Sequence, residues 1–217
     1  MFKALVFVLL VVSLFGRTAP SAAVEAAAKH WHFAVSLDGK PIGKHDFAVA
    51  RDGENVDVDI HAHFKVRMAF IPLYGYDHQD HEVWRGGCLA QMDSETNDDG
   101  KKVAVHGVAK GDGFAVKGLH GEAMLPACVK SFAYWDESFL TESRLLNSQT
   151  GEYETVNLTR HGVETLQLSG RSLAAEHYSL HTGHFGIDLW YSSQGEWLAL
   201  ESHLENGRTL RYEIEQP

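Results

Sequence analysis

Val56-Asp57-Val58-Asp59-Ile60-His61-Ala62-His63-Phe64-Lys65-Val66 alternates apolar and polar residues without a break. Successive side chains of a strand point to opposite faces. Val56, Val58, Ile60, Ala62, Phe64 and Val66 therefore share one face, and Asp57, Asp59, His61, His63 and Lys65 share the other. One dry face and one wet face mark an antiparallel sheet. The pattern extends upstream. Asp52-Gly53 reads as a two-residue turn that sets Phe47 opposite Val58 and Val49 opposite Val56, on a strand from His45 to Ala50. Before it, Trp31 to Leu37 carries apolar odd positions, and Asp38-Gly39-Lys40 turns the chain. A two-residue Asp-Gly turn would set Trp31 opposite Asp46 and mix the faces. A three-residue loop sets Trp31 opposite Phe47 and keeps the apolar face whole, so the sequence argues for the longer loop.

Downstream, Ile71-Pro72-Leu73-Tyr74-Gly75-Tyr76 interrupts the alternation and reads as a loop or kink. Val83 to Ser94, Val103 to Ala109 and Phe114 to Leu119 follow as strands, with turns at Asp99-Gly100 and Asp112-Gly113. Residues 131–152 break the period of two. Ser131-Phe132-Ala133-Tyr134-Trp135 sets aromatics close together, and Asp136 then offers a helix N-cap. Tyr153 to Thr159, Glu164 to Leu168 and Ala174 to His181 read as short strands. In the last hairpins, Gln194-Gly195 sets Tyr191 opposite Leu198 and Leu189 opposite Leu200, leaving Trp190, Trp197 and Ala199 on the other face. An Asn206-Gly207 turn then puts Leu210, Tyr212 and Ile214 on the tryptophan face. Residues 187–200 are thus apolar on both faces and need cover on both, and residues 131–146 have the bulk to supply it. No repeat or linker is apparent. The expected fold is mainly β: a single curved antiparallel sheet, a half-barrel or open barrel, wrapping a short helical segment.

The N-terminus reads as a signal peptide over residues 1–23. Met1-Phe2-Lys3 is basic, Ala4 to Phe15 is apolar but too short to span a bilayer, and small residues put cleavage between 23 and 28. No cysteine lies near these sites, so a lipoprotein anchor is not expected. Residues 24–217 form one β-rich domain, with a periplasmic or secreted location. Losing Lys3 and Arg17 takes the formal charge from −10 to −12. That charge disfavours nucleic acid and anionic lipid surfaces as partners. Cys88 and Cys128 would pair in an oxidising compartment; two buried free thiols are the alternative.

The sequence holds 14 histidines. His61 and His63 share a strand face beside Asp57 and Asp59 and are weak metal candidates, since a solvated surface explains them as well. His30 and His32 form a similar pair, but two strands away from it, roughly 10 Å. His78-Gln79-Asp80-His81-Glu82 resembles a zinc-hydrolase helix only superficially, because the order is wrong and the surroundings are not helical. His45 faces the core opposite Ile60, and Asp46 lies opposite Asp59 as a surface carboxylate pair. Nucleophile elbow, phosphate loop and dinucleotide fingerprint are all missing, so neither a cofactor nor a catalytic residue is indicated. Phe132, Tyr134, Trp135, Phe139, Trp190, Trp197 and Tyr212, with Tyr191, could line an apolar pocket or simply fill the core.

Four segments carry a family resemblance. They are Leu37-Asp38-Gly39-Lys40-Pro41-Ile42-Gly43; Glu82-Val83-Trp84-Arg85-Gly86-Gly87-Cys88-Leu89 with Thr96 to Gly100; Phe132-Ala133-Tyr134-Trp135 with Leu145 to Glu152; and Asp188-Leu189-Trp190-Tyr191 with Glu196-Trp197. Together they resemble an exported bacterial domain-of-unknown-function family, number 6134. Its members carry Asn-Pro after the Tyr-Trp pair, where this chain has Asp136-Glu137, which bears on the helix start. More distantly the chain is similar to the lipoprotein-carrier-like half-barrels of the bacterial envelope. The expectation is a non-catalytic periplasmic binding or carrier protein for an apolar or lipid-like ligand. The alternatives are a cell-envelope interaction or assembly factor with a protein partner, and a histidine-based metal-binding protein or metalloenzyme.

Overall fold

A computed structural model describes residues 28–68, 71–204 and 207–215. The expected signal peptide lies outside the described residues, as does Asn206 of the last turn. Among the described residues fifteen strands run in order. They are β1 Lys29–Leu37, β2 Lys40–Asp52, β3 Asn55–Met68, β4 Ile71–Arg85, β5 Cys88–Asp98, β6 Lys101–Lys110, β7 Gly113–Gly118, β8 Gly121–Pro126, β9 Arg144–Leu146, β10 Tyr153–Thr155, β11 Asn157–Leu168, β12 Arg171–His181, β13 Gly186–Tyr191, β14 Trp197–His203 and β15 Thr209–Ile214. Thirteen of them form one antiparallel sheet in the order β11-β12-β13-β14-β15-β1-β2-β3-β4-β5-β6-β7-β8. The sheet is not closed, and β8 and β11 are its edges. β9 and β10 form a separate pair inside the insert that spans residues 129–156. Among the described residues no helix is long and apolar enough to cross a membrane.

The expected mainly β fold, an open curved sheet around a short helical segment, is what the chain forms. The helical segment is a 3₁₀ turn, Glu137–Thr141, and Asp136 caps it by accepting from the Ser138 N–H. Trp31 pairs with Phe47, as the sequence argues. The loop itself is nevertheless the two residues Asp38 and Gly39, both in left-handed backbone. The residue that keeps the faces aligned is absorbed by a bulge beside Val35 and Ser36.

Other registers depart from expectation. The β2–β3 turn uses Gly53 and Glu54, so Phe47 pairs with Ile60 and Val49 with Val58. A slip of two residues leaves every side chain on its own face, which is why the apolar pattern does not detect it. His45 consequently faces Ala62 rather than Ile60, and Asp46 faces His61, so no Asp46–Asp59 pair forms. Residues 71–76 are the start of β4, not a loop, with a bulge at Val66/Arg67 taking up the irregularity. Gly86-Gly87 is a hairpin turn inside the expected strand 83–94. The turn between β5 and β6 sits on Asp99-Gly100 as expected, and the turn between β6 and β7 sits on Gly111-Asp112, one residue earlier than expected. β8 is an additional strand, and β11 unites two expected short strands across a bulge.

The late hairpin carries the largest correction. Leu189 pairs with Leu200 and Trp190 with Ala199, but a bulge then pairs Tyr191 with Trp197. The bulge turns Trp197 to the inner face, 4.0 Å from Phe33 and 5.1 Å from Tyr134 between ring centroids. Tyr212 pairs with Leu200 and Val35, so Leu210, Tyr212 and Ile214 line the inner face, opposite to Trp190. Both faces do need cover, and two different elements supply it. The insert fills the inner face with Val129, Ala133, Trp135, Phe139, Leu145 and Leu146, all buried. The β11–β12 hairpin arches over the Trp190 face. Glu164 accepts from the Trp190 indole at 2.6 Å, and the Gln167 carbonyl accepts from Arg211 at 3.1 Å, although three strands separate β11 from β15 in the sheet. Leu166, Leu168 and Ala175 on that hairpin are buried with Trp190 and Ala199.

The insert is pinned at several points. Cys88 and Cys128 form a disulfide, and the Leu89 N–H donates to the Val129 carbonyl. The Leu119 N–H donates to the Thr150 carbonyl at 2.7 Å. Gly118 permits this approach, since a Cβ there would stand 2.4 Å from the Thr150 oxygen. The disulfide closes a span of 40 residues. Reduction, or Cys128→Ser, is expected to cost roughly 4 kcal/mol, on the order of 10 °C in Tm. Thermal unfolding with and without reductant checks this, and superimposable curves would refute it.

Candidate functional site

A cavity of about 200 Å³ lies between the inner face and the insert. β2 and β3 contribute His45, Phe47, Ile60 and Ala62; β4 contributes Tyr76 and His78; β14 and β15 contribute Trp197, Leu200, Leu210 and Tyr212. Phe132, Tyr134 and Asn147 to Gln149 of the insert, with Phe185 and Ile187, complete it. The aromatics form a connected wall. Phe64, which does not itself line the cavity, joins Tyr76 (stacked, centroids 5.2 Å apart) to Tyr212 (edge-on, 5.9 Å), and Phe132 lies 5.7 Å from Phe185.

The polar groups of this wall are uncharged. His45 is half-buried with both ring nitrogens out of solvent, and burial pushes its pKa down to about 3. Neither of its ring nitrogens has a hydrogen-bond partner. Such an orphan group is costly unless something in the cavity meets it. Burial also lowers His78, to about 4; its Nδ1 lies 2.9 Å from the Thr96 hydroxyl. Tyr76, Tyr134 and Tyr212 are pushed up by burial and stay neutral phenols.

Of the seven aromatic residues expected at a pocket, Phe132, Tyr134, Trp197 and Tyr212 line the cavity. Trp135 does not. The space beside it is filled by Trp84, edge-on at 5.5 Å, and by the Arg51 guanidinium over its ring. Phe139 packs in the core against Tyr134 at 5.8 Å. Trp190 is on the opposite face of the sheet, where it stacks on His177. His61 and His63 are exposed, and both approach Asp77, at 3.7 and 2.8 Å.

Asp80 and Glu82 were not anticipated. With His78 and Trp84 they occupy alternate positions of β4, and all four are buried. Extending the strand back from Trp84 with period two would have found them; the superficial metal motif drew attention to the wrong pairing. Glu82 accepts from the Trp84 indole at 2.8 Å, yet burial still pushes its carboxyl up to about 7. Burial and the neighbouring Glu82 push Asp80 well above the ordinary range.

The family model described as domain of unknown function 6134 matches residues 33–215, and the chain belongs to that family. No curated protein matches. Among solved structures, the chain is similar to a beta-barrel-like protein of domain of unknown function 1849 from Brucella abortus. The TM-score is 0.64 at 10% identity, covering 88% of this chain and 97% of that one. At this identity the likeness concerns the fold alone.

The raised carboxyl has a defined pH signature. Between its ordinary value of 4.5 and about 7, folded Glu82 holds a proton that the unfolded chain releases. Its contribution to stability therefore falls as pH rises through that window. The lowered His45 and His78 act oppositely, losing stability as pH falls below 6.5. Glu82→Gln is expected to match the parent protein near pH 4 and exceed it by roughly 3 kcal/mol at pH 8. Urea unfolding across pH tests this, and parallel profiles for the two proteins would contradict it.

Proposed function

We propose that this member of family 6134 is a non-catalytic binding or carrier protein for an apolar or lipid-like ligand, working in the periplasm after export. The observation that carries the reading is the aromatic cavity with an orphaned neutral imidazole, His45, in its wall. An apolar chain or ring would lie against Phe132, Tyr134, Trp197 and Leu210, and a hydroxyl or carbonyl of the ligand would meet His45. The cavity is smaller than the roughly 300 Å³ at the low end of drug-sized sites. The ligand therefore inserts one chain or ring and leaves the remainder outside. Export is supported by the basic-then-apolar N-terminal segment and by the disulfide, which suits an oxidising compartment.

A second reading, an envelope interaction factor, is favoured by Ile71 and Leu73, exposed at the start of β4. In that case the contact surface is the β3–β4 hairpin rather than the cavity.

A fluorescent fatty-acid probe titrated into the purified protein is expected to bind saturably. Leu210→Trp, which fills the cavity from a half-buried position, should weaken binding about tenfold or more. Equal affinity in the filled variant, or no saturable signal, would remove the cavity from the account.

A further inference from the structure

We propose that His161, His177 and Asp188 form a binding site for a divalent transition metal of the zinc class on the outer face of the sheet, remote from the cavity. One donor atom from each lies within 4.8 Å of the others. The three residues come from the adjacent strands β11, β12 and β13, so the ladder and not a loop sets their spacing.

Alternation already places His161 on this face. Thr159 pairs with Ser179, so residue 161 falls on the face that carries His177. Arg160 pairs with Tyr178 and Gly162 with His177, so His161 is the extra residue of a bulge, and Gly162 follows with φ of +93°, a conformation that residues with a Cβ rarely adopt. The two imidazoles lie 4.5 Å apart.

The polar contacts converge on one atom. His177 Nε2 stands 3.0 Å from Asp188 Oδ1, the Ser179 hydroxyl donates to the same oxygen, and His161 Nε2 lies 2.8 Å from that hydroxyl. His177 Nδ1 in turn faces Glu164 at 3.4 Å. A metal bound between the imidazoles and Asp188 would take His177 Nε2 and leave Nδ1 turned toward Glu164, which is itself held by the Trp190 indole. A carboxylate beside the second nitrogen of a ligating histidine is the usual support for zinc. His177 and Asp188 are also well shielded, with side chains 17% and 27% exposed, against 52% and 46% for His61 and His63. Elsewhere on the outer face, His32–Asp46 and His81–Asp59 pair one imidazole with one carboxylate, and His61 and His63 share Asp77 at an exposed position.

Isothermal titration of the untagged, chelator-treated chain with zinc chloride tests the site. One equivalent is expected to bind, and His161→Gln and Asp188→Asn should each weaken binding about tenfold or more. The double variant His61→Gln/His63→Gln should bind as the parent does. Cobalt(II) should give the intense visible bands of a four-coordinate ion, and these should be lost in His161→Gln. His161 is exposed, so that variant should keep the parent circular dichroism spectrum and can carry the test if Asp188→Asn unfolds. No saturable zinc heat, unchanged affinity in a folded His161→Gln, or loss of binding in the His61/His63 variant instead would each overturn the proposal.

Discussion

An open sheet with an apolar inner face cannot stand alone in water. β8 and β11 do not meet, so this chain lacks the closure that hides the interior of a barrel. The inner face presents Phe33, Phe47, Trp84, Met92, Phe114 and Leu189, all buried. They are buried because residues 129–156 lie across them. Each large apolar side chain so covered contributes roughly 1.5–3 kcal/mol. Trp135, Phe139, Leu145 and Leu146 of the insert therefore matter as much to the fold as any strand. The disulfide, the Val129 and Thr150 carbonyl contacts and the Gly118 approach hold the insert in its one productive position.

The cavity follows from this arrangement. Cover is complete around Trp135, where Trp84 closes the space. It is incomplete near Tyr134, where β2, β3 and β15 carry their aromatic and imidazole side chains. Wall and insert share residues there: the Tyr191 hydroxyl donates to the Tyr134 carbonyl, and the Tyr134 ring packs on Trp197. A change that loosens the insert should thus alter cavity and stability together. The buried row of His78, Asp80 and Glu82 adds a polar seam on β4 beneath the 147–154 turn, where Ser94 and Asn147 donate to the Ser148 carbonyl and to Glu154.

How much of this was legible in the sequence depended on whether an error would have moved a side chain across the sheet. The Trp31–Phe47 register was readable because a one-residue slip would have mixed the faces. The β2–β3 register was not, because a two-residue slip leaves Phe47 and Val49 inward either way. The bulge beside Trp190, which turns Trp197 inward, does not follow from alternation. That both faces of residues 187–200 require cover was legible from their composition. That two elements share the task was not, since the curl of the β11–β12 hairpin back to Arg211 is a tertiary property. Asp80 and Glu82 lie in phase with Trp84 at period two, but carboxylates on a strand argue for its wet face, so their burial was not legible.

The central claim is that the insert leaves an occupied apolar cavity against the sheet. Native mass spectrometry of the protein, purified gently from its own host, tests it most directly. The account predicts a species heavier than the bare chain by the mass of one non-covalently held apolar molecule, and loss of that molecule when Leu210 is replaced by Trp. A single unliganded species, the same for both proteins, would contradict it.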